Sequence, residues 1–206
     1  MDINPEQFEK KARKQGYSEI AGIDEAGRGP LAGPVVASAV ILPQDVYLPH
    51  LDDSKRLSPR RRDECFGAIY EQAISVGIGI IDPAEIDRIN ILQASLLSMR
   101  MAVDNLRPIP DYLLVDGIFP IRSPVPQQVI KHGDRRCRCI AAASIVAKVT
   151  RDRLMMLYDE EFPEFGFGKN KGYGTERHRA AIRSFGYSWI HRKTFRGVRE
   201  YVNPML

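Results

Sequence analysis

The chain predicts an α/β fold, a mixed sheet flanked by helices. Three observations carry this. Three strand-like segments follow one another early in the chain, helix and strand signals alternate after them, and 206 residues suffice for one well-buried α/β domain with a small appendage.

The elements can be justified in order. Residues 5–16 carry Glu6, Glu9, Lys10, Lys11, Arg13 and Lys14 and read as a charged N-terminal helix. Residues 18–24 rise into a first strand, and the β-branched run of residues 35–42, ended by Pro43, gives a second. The tight connection between Gly27 and Gly33 makes the pair a hairpin. Residues 74–81 give a third strand, interrupted by Gly77 and Gly79. Asp82 then reads as a helix N-cap, with Pro83 in the first turn and Glu85 three residues after the cap. Ile86, Ile89, Leu96, Met99 and Val103 keep near-helical spacing, and Pro108 ends that element. A short buried strand, residues 112–115, stops at Asp116-Gly117, and residues 128–130 form a fifth. The longest helical stretch runs from Ile140 to about Glu161. Thr175 reads as a further N-cap and Gly186 as the C′ residue of its helix.

Hydrophobic residues make up 44% and charged residues 27%, as in ordinary globular proteins. The net charge of +4 is unevenly spread. Residues 165–200 hold nine Lys/Arg against two Glu, a local +7 on a body of −3. A basic tail suits a polyanionic partner. Three cysteines cannot build a disulfide framework. Cys137-Arg138-Cys139 is too short for a zinc knuckle and has no second pair. Reduced thiols in a cytoplasmic protein are expected. The polar N-terminus shows no signal peptide, and no apolar run reaches the ~20 residues of a membrane span.

The chemistry points to acids. Gly22-Ile23-Asp24-Glu25-Ala26-Gly27-Arg28-Gly29 sets two adjacent carboxylates beside an arginine held between glycines. Asp24, Glu25 and Asp116 all fall at carboxyl ends of strands, where ligands gather in open α/β sheets. Crowded carboxylates repel, and a divalent cation relieves the repulsion. Oxygen-only donors favour Mg²⁺ or Mn²⁺. Alternation along a strand sends Asp24 and Glu25 to opposite faces, so one of them is expected to reach the site through a twist, backbone or water. Asp134 alone could cap a helix, and Asp152 is most simply a partner of Lys148 or Arg151.

The segments Asp24–Gly29, residues 51–55, Val115-Asp116-Gly117, Gly133-Asp134 with residues 140–149, and Lys171-Gly172-Tyr173-Gly174-Thr175 together resemble bacterial ribonuclease HII, in family order over nearly the whole chain. The resemblance implies a ribonuclease H-like five-stranded mixed sheet, flanked by helices, in a single catalytic domain of residues 1–206, with a helical C-terminal extension from about residue 162. It implies a metal-dependent endoribonuclease that cuts the RNA strand of RNA–DNA hybrids and duplex DNA 5′ of embedded ribonucleotides, leaving 3′-hydroxyl and 5′-phosphate ends. Asp24, Glu25, Asp116 and Asp134 match the family's four acids, with Mn²⁺ or Mg²⁺ as cofactor. Gly27, Arg28, Gly29 and Tyr173 would read the RNA-to-DNA step, where the 2′-hydroxyl is the local mark of RNA. Lys55, Arg56, Lys148, Lys169 and Lys171 are candidates for phosphate contacts. A monomer is expected, with no membrane partner. The tail at residues 189–196 either lines the duplex or packs the extension onto the body. His132 reads as a solvated loop residue. Cys137 and Cys139 stand where the family commonly has serines, a departure expected to spare the backbone path but to bear on metal affinity or oxidation.

Three rivals remain. Ribonuclease HIII has similar acids but usually an added N-terminal domain, whereas only about twenty residues precede the first strand here. A non-catalytic nucleic-acid binding module would bind with salt sensitivity and never cut. A nucleotide-binding enzyme would need a phosphate-loop or dinucleotide fingerprint, and neither follows Gly27.

Overall fold

The structure, a computed structural model, describes residues 5–48, 51 and 57–202. The motif around residues 52–56, with Lys55 and Arg56, lies outside the described residues. Five strands form one sheet: β1 (Ile20–Ala26), β2 (Val35–Ile41), β3 (Ser75–Ile81), β4 (Tyr112–Asp116) and β5 (Gln127–Ile130). Their order is β3-β2-β1-β4-β5. β1 pairs antiparallel with β2 and β2 with β3, while β1, β4 and β5 run parallel. The sheet is mixed, as expected.

The alternation of side chains along the strands builds two apolar layers. Ile20, Val40 and Leu114 face a helix spanning Arg138–Glu161. Ala21, Ile23, Ile41, Leu113 and Val115 face another, Ile91–Asp104. Burying each large aliphatic side chain stabilises by about 1.5–3 kcal/mol. The first turn of the Arg138–Glu161 helix lies on the backbone of β1. A Cβ built on Gly22 would sit 2.2 Å from the carbonyl carbon of Cys139, so no other residue permits this approach.

In chain order the helices are α1 (Gln7–Lys14), α2 (Pro59–Gln72), α3 (Pro83–Ile89), α4 (Ile91–Asp104), α5 (Arg138–Glu161), α6 (Phe167–Asn170) and α7 (Glu176–Phe185). Asp82 and Thr175 cap α3 and α7 as the sequence predicts, accepting from the backbone N–H groups of Glu85 and His178. Gly186 ends α7 at φ +78°. The single helix expected after Asp82 is two. Asn90 breaks it at φ +69°, and its side-chain oxygen accepts from Leu92 N–H and Gln93 N–H, starting α4 afresh. Asparagine tolerates this backbone region, and the new cap compensates the broken ladder. α2, opened by Ser58 and Pro59, was not anticipated.

Residues after 162 fold back. Phe165, Phe167, Ile182, Ile190 and Val198 share an apolar cluster with Leu31 and Ala32 of the β1–β2 connection. Among the described residues no helix is long and apolar enough to cross a membrane.

Candidate active site

Parallel pairing of β1 with β4 brings Ile23 opposite Val115, so the next residues, Asp24 and Asp116, stand side by side toward the carboxyl ends of adjacent strands. One carboxylate oxygen from each of Asp24, Glu25 and Asp116 lies within 4.8 Å of the others. A Glu25 carboxylate oxygen joins the cluster. Of the routes that alternation along the strand left open (twist, backbone or water), it is the side chain itself that arrives, near the end of β1.

The cluster is oriented from three sides. The Ser144 hydroxyl of α5 and the Glu25 N–H, at 2.7 Å, donate to Asp24. The Gly133 N–H donates to Asp116 Oδ1 at 2.6 Å. Arg28 Nη1 lies 3.2 Å from Glu25 Oε1, while Glu25 Oε2 is buried with no hydrogen-bond partner. Asp24 is only 6% exposed. Burial, then the neighbouring Glu25 and Asp116, push its carboxyl well above the usual range. Burial also raises Glu25, against the pull of Arg28. Three crowded acids with an unpartnered buried oxygen form a hard, oxygen-only donor set that a divalent cation fits.

Asp134 is buried in a 3₁₀ turn, Gly133–Arg135, latched to the cluster through Gly133. Its carboxylate is not among the three that converge. His132 is exposed, as expected.

An open cleft of about 340 Å³ lies over the acids, lined also by the Gly27–Gly29 segment, Lys148, Arg151 and Tyr173. Gly27 adopts φ +98°, and a Cβ there would fall 2.1 Å from Arg151 Nε. Its glycine identity serves the loop's own fold. Gly29 differs: a Cβ there would meet only Tyr173 Cε1, at 3.7 Å, from the cleft side. Tyr173 is 47% exposed across the cleft. Lys148 is bound to Asp152 at 2.6 Å, the pairing expected for Asp152, and also lines a neighbouring groove of about 500 Å³ with Arg62, Arg153, Lys169 and Lys171. Lys169 is exposed, whereas Lys171 Nζ donates to Gly168 O at 2.6 Å, and burial pushes its pKa down.

Sequence reasoning missed the loop's support. Arg192 is fully buried and donates to the carbonyls of Gly27, Arg28, Pro30 and Gly33. Arg151, also buried, donates to the carbonyls of Ala32, Pro34 and Lys171. Burial lowers the two guanidiniums to about 9 and about 10, so both stay charged at neutral pH. His178 Nδ1 lies 2.9 Å from the Tyr173 carbonyl, and its Nε2 lies 3.0 Å from His191 Nε2. Within the tail, then, Ile190, His191 and Arg192 pack inward beneath the loop. Trp189, still half exposed, stacks edge-on against Tyr158 and Phe162. The basic surplus of the tail was visible in sequence, but not that its central arginine turns inward.

Comparison with known proteins agrees with this architecture. Residues 21–198 match the family model described as Ribonuclease HII. The Ribonuclease HII of Geobacter sulfurreducens is 60% identical over 195 residues, covering 95% of this chain and 90% of that one. The crystal structure of ribonuclease H2 from Pyrococcus horikoshii OT3 superposes with a TM-score of 0.77 at 26% identity, covering 91% of this chain and 98% of that one. Bst-RNase HIII in complex with Mn²⁺ superposes with a TM-score of 0.68 at 20% identity, covering 94% of this chain and 72% of that one, a likeness of fold alone.

Proposed function

The chain belongs to the ribonuclease HII family and is a ribonuclease H, an endonuclease that hydrolyses RNA to 5′-phosphomonoesters; we propose that it cuts RNA–DNA hybrids and duplex DNA 5′ of single embedded ribonucleotides, using Asp24, Glu25 and Asp116 as ligands of divalent cations. The convergence of these three carboxylates carries the reading. The family is divalent-metal dependent. Bound Mn²⁺ or Mg²⁺ would acidify a water and neutralise charge on the phosphodiester.

The chain's own residues do the rest. Ser144 and the Gly133 N–H fix the orientation of Asp24 and Asp116, so the donor set is prearranged. Asp134 is proposed as the fourth acid, held one residue beyond that latch. Arg28 spans Glu25 and the open cleft, placing a guanidinium where a phosphate would lie. Gly29 leaves room for a sugar edge, and Tyr173 faces it, suited to resting on the sugar beside the ribonucleotide. Lys148, with Lys169 in the adjoining groove, would hold backbone phosphates without reading sequence. The protein is proposed to act as a cytoplasmic monomer.

The test is a duplex carrying one ribonucleotide, incubated with Mg²⁺, Mn²⁺ or chelator, with product ends mapped. Cutting 5′ of the ribonucleotide only with metal is expected. Cutting of long hybrids alone would favour a ribonuclease HIII-like activity. Binding without cutting would mark a nucleic-acid binding module. Tyr173→Phe should slow single-ribonucleotide cleavage about tenfold, the worth of one hydrogen bond; an unchanged rate removes its assigned role.

A further inference from the structure

A second group of ligand-bearing side chains shares no residue with the acid cluster. Cys137 stands at the N-cap of α5, but its side chain makes no capping hydrogen bond. Cys139 lies in the first turn. Both are 1% exposed, and their sulfurs are 3.4 Å apart. Glu9 of α1 meets them from far upstream in the chain. Its Oε1 accepts from the Cys139 N–H at 2.9 Å, while Oε2 is buried without a hydrogen-bond partner. One donor atom from each of the three residues lies within 4.8 Å of the others. A cavity of about 30 Å³ adjoins Glu9 and Cys139 but not Cys137, and Glu6, Lys10, Arg13 and Arg138 share its wall, so the ion's place is set by the three donors and not by this cavity.

We propose that Glu9, Cys137 and Cys139 form a binding site for a thiophilic divalent cation of the Zn²⁺ class. The donor chemistry selects the ion. Two sulfurs and one carboxylate suit Zn²⁺ and disfavour Mg²⁺ and Mn²⁺, the reverse of the oxygen-only cluster. The geometry agrees. Tetrahedral Zn²⁺ with bonds of about 2.3 Å sets two sulfurs about 3.8 Å apart, whereas a disulfide needs about 2.05 Å. The observed separation stands much nearer the former. Charge nearly balances. Two thiolates and a carboxylate exceed a divalent ion by one negative charge. The N-terminus of α5, where both cysteines sit, offsets it in part. Three protein donors leave a fourth position for solvent. The bound ion would tie α1 to the start of α5, a few residues beyond Asp134. This site stands independently of the nuclease reading.

The full chain, reduced and stripped with chelator, is loaded with Zn²⁺ or Co²⁺ and dialysed. One tightly held Zn²⁺ per chain is expected. Co²⁺ should give a thiolate-to-cobalt charge-transfer band that survives in Asp24→Asn and vanishes in Cys137→Ser/Cys139→Ser. Glu9→Gln should weaken retention by roughly tenfold or more. Native mass spectrometry of the wild-type chain, which requires no variant to fold, should show one Zn²⁺ replacing two thiol protons. A wild-type chain that holds no stoichiometric Zn²⁺, or a charge-transfer band unaffected by loss of both sulfurs, overturns the proposal. So does a Cys137–Cys139 disulfide forming in place of metal uptake.

Discussion

Two charged regions adjoin the cleft, the acids lining it and the arginines beneath its loop, and they are managed in opposite ways. The acid cluster of Asp24, Glu25 and Asp116 is crowded, Asp24 and Glu25 are raised in pKa, and one Glu25 oxygen is left unpartnered. The loop opposite is held by Arg151 and Arg192, whose guanidiniums are spread over backbone carbonyls. A buried charge is tolerable when every direction is hydrogen-bonded and costly when it is not. The arginines are therefore a finished structural device. The acids are an unfinished one, completed by a ligand. On the proposed reading, rigidity sits where substrate would be read, and electrostatic strain sits where the chemistry would occur.

The widest difference between the regions should come from Asp24→Asn. Removing one acid of the cluster should cost several kcal/mol of transition-state stabilisation, about 10³-fold or more in cleavage rate. Duplex binding should persist, since Lys148 and the basic groove are untouched. Without metal the same variant should melt higher than wild type, by about 3 °C. The sign follows from the raised pKa. Folded Asp24 holds its proton at a pH where the unfolded chain has lost it, so wild-type stability drains as pH rises from the unfolded value. The amide avoids this. Calorimetric melts across acid to neutral pH check it, and a lower melting point would break the contrast.

Arg192→Lys should do the opposite. The charge stays but most carbonyl partners are lost, at about 3 kcal/mol, or roughly 10 °C in melting temperature. Single-ribonucleotide cleavage should fall with it as Gly27–Gly33 loosens. Wild-type stability would show that the loop stands without its clamp.

The smallest effect concerns the pair beneath Tyr173. Burial holds His191 down to about 3 and lowers His178 too. His191 stays neutral when folded but binds a proton when unfolded below about 6.5, so its contribution is complete above that pH and is lost as pH falls toward 3, with His178 acting in the same direction. Between pH 6.5 and 5, above ordinary carboxylates, stability should decline by up to about 1.4 kcal/mol per unit from His191. His191→Gln should flatten this limb in chemical denaturation.

The existence of the five strands and the strand-end placing of Asp24, Glu25 and Asp116 were legible because β-branched runs and strand-end carboxylates are local signals, whereas the spatial order β3-β2-β1-β4-β5 carries no local mark. Asn90 was hidden because apolar spacing continues across it, and only its positive φ with two capped N–H groups reveals the break. The packing of Arg151 against Gly27, which by itself requires glycine there, was hidden from the sequence. Arg192 looked like one more cation in a basic tail. Glu9 and Cys139 are 130 residues apart, a pairing that no spacing rule anticipates. Long-range partners of charged groups are what sequence leaves open, since polar side chains carry no periodicity that names their acceptor.

The central claim is that the acids await a divalent cation, and the direct measurement is the melting temperature of wild type and Asp24→Asn with rising Mn²⁺. Wild type should climb steadily with metal while the variant responds much less, because it lacks the most buried of the three carboxylates that would hold the ion. Equal shifts in both would place the metal elsewhere and contradict the account.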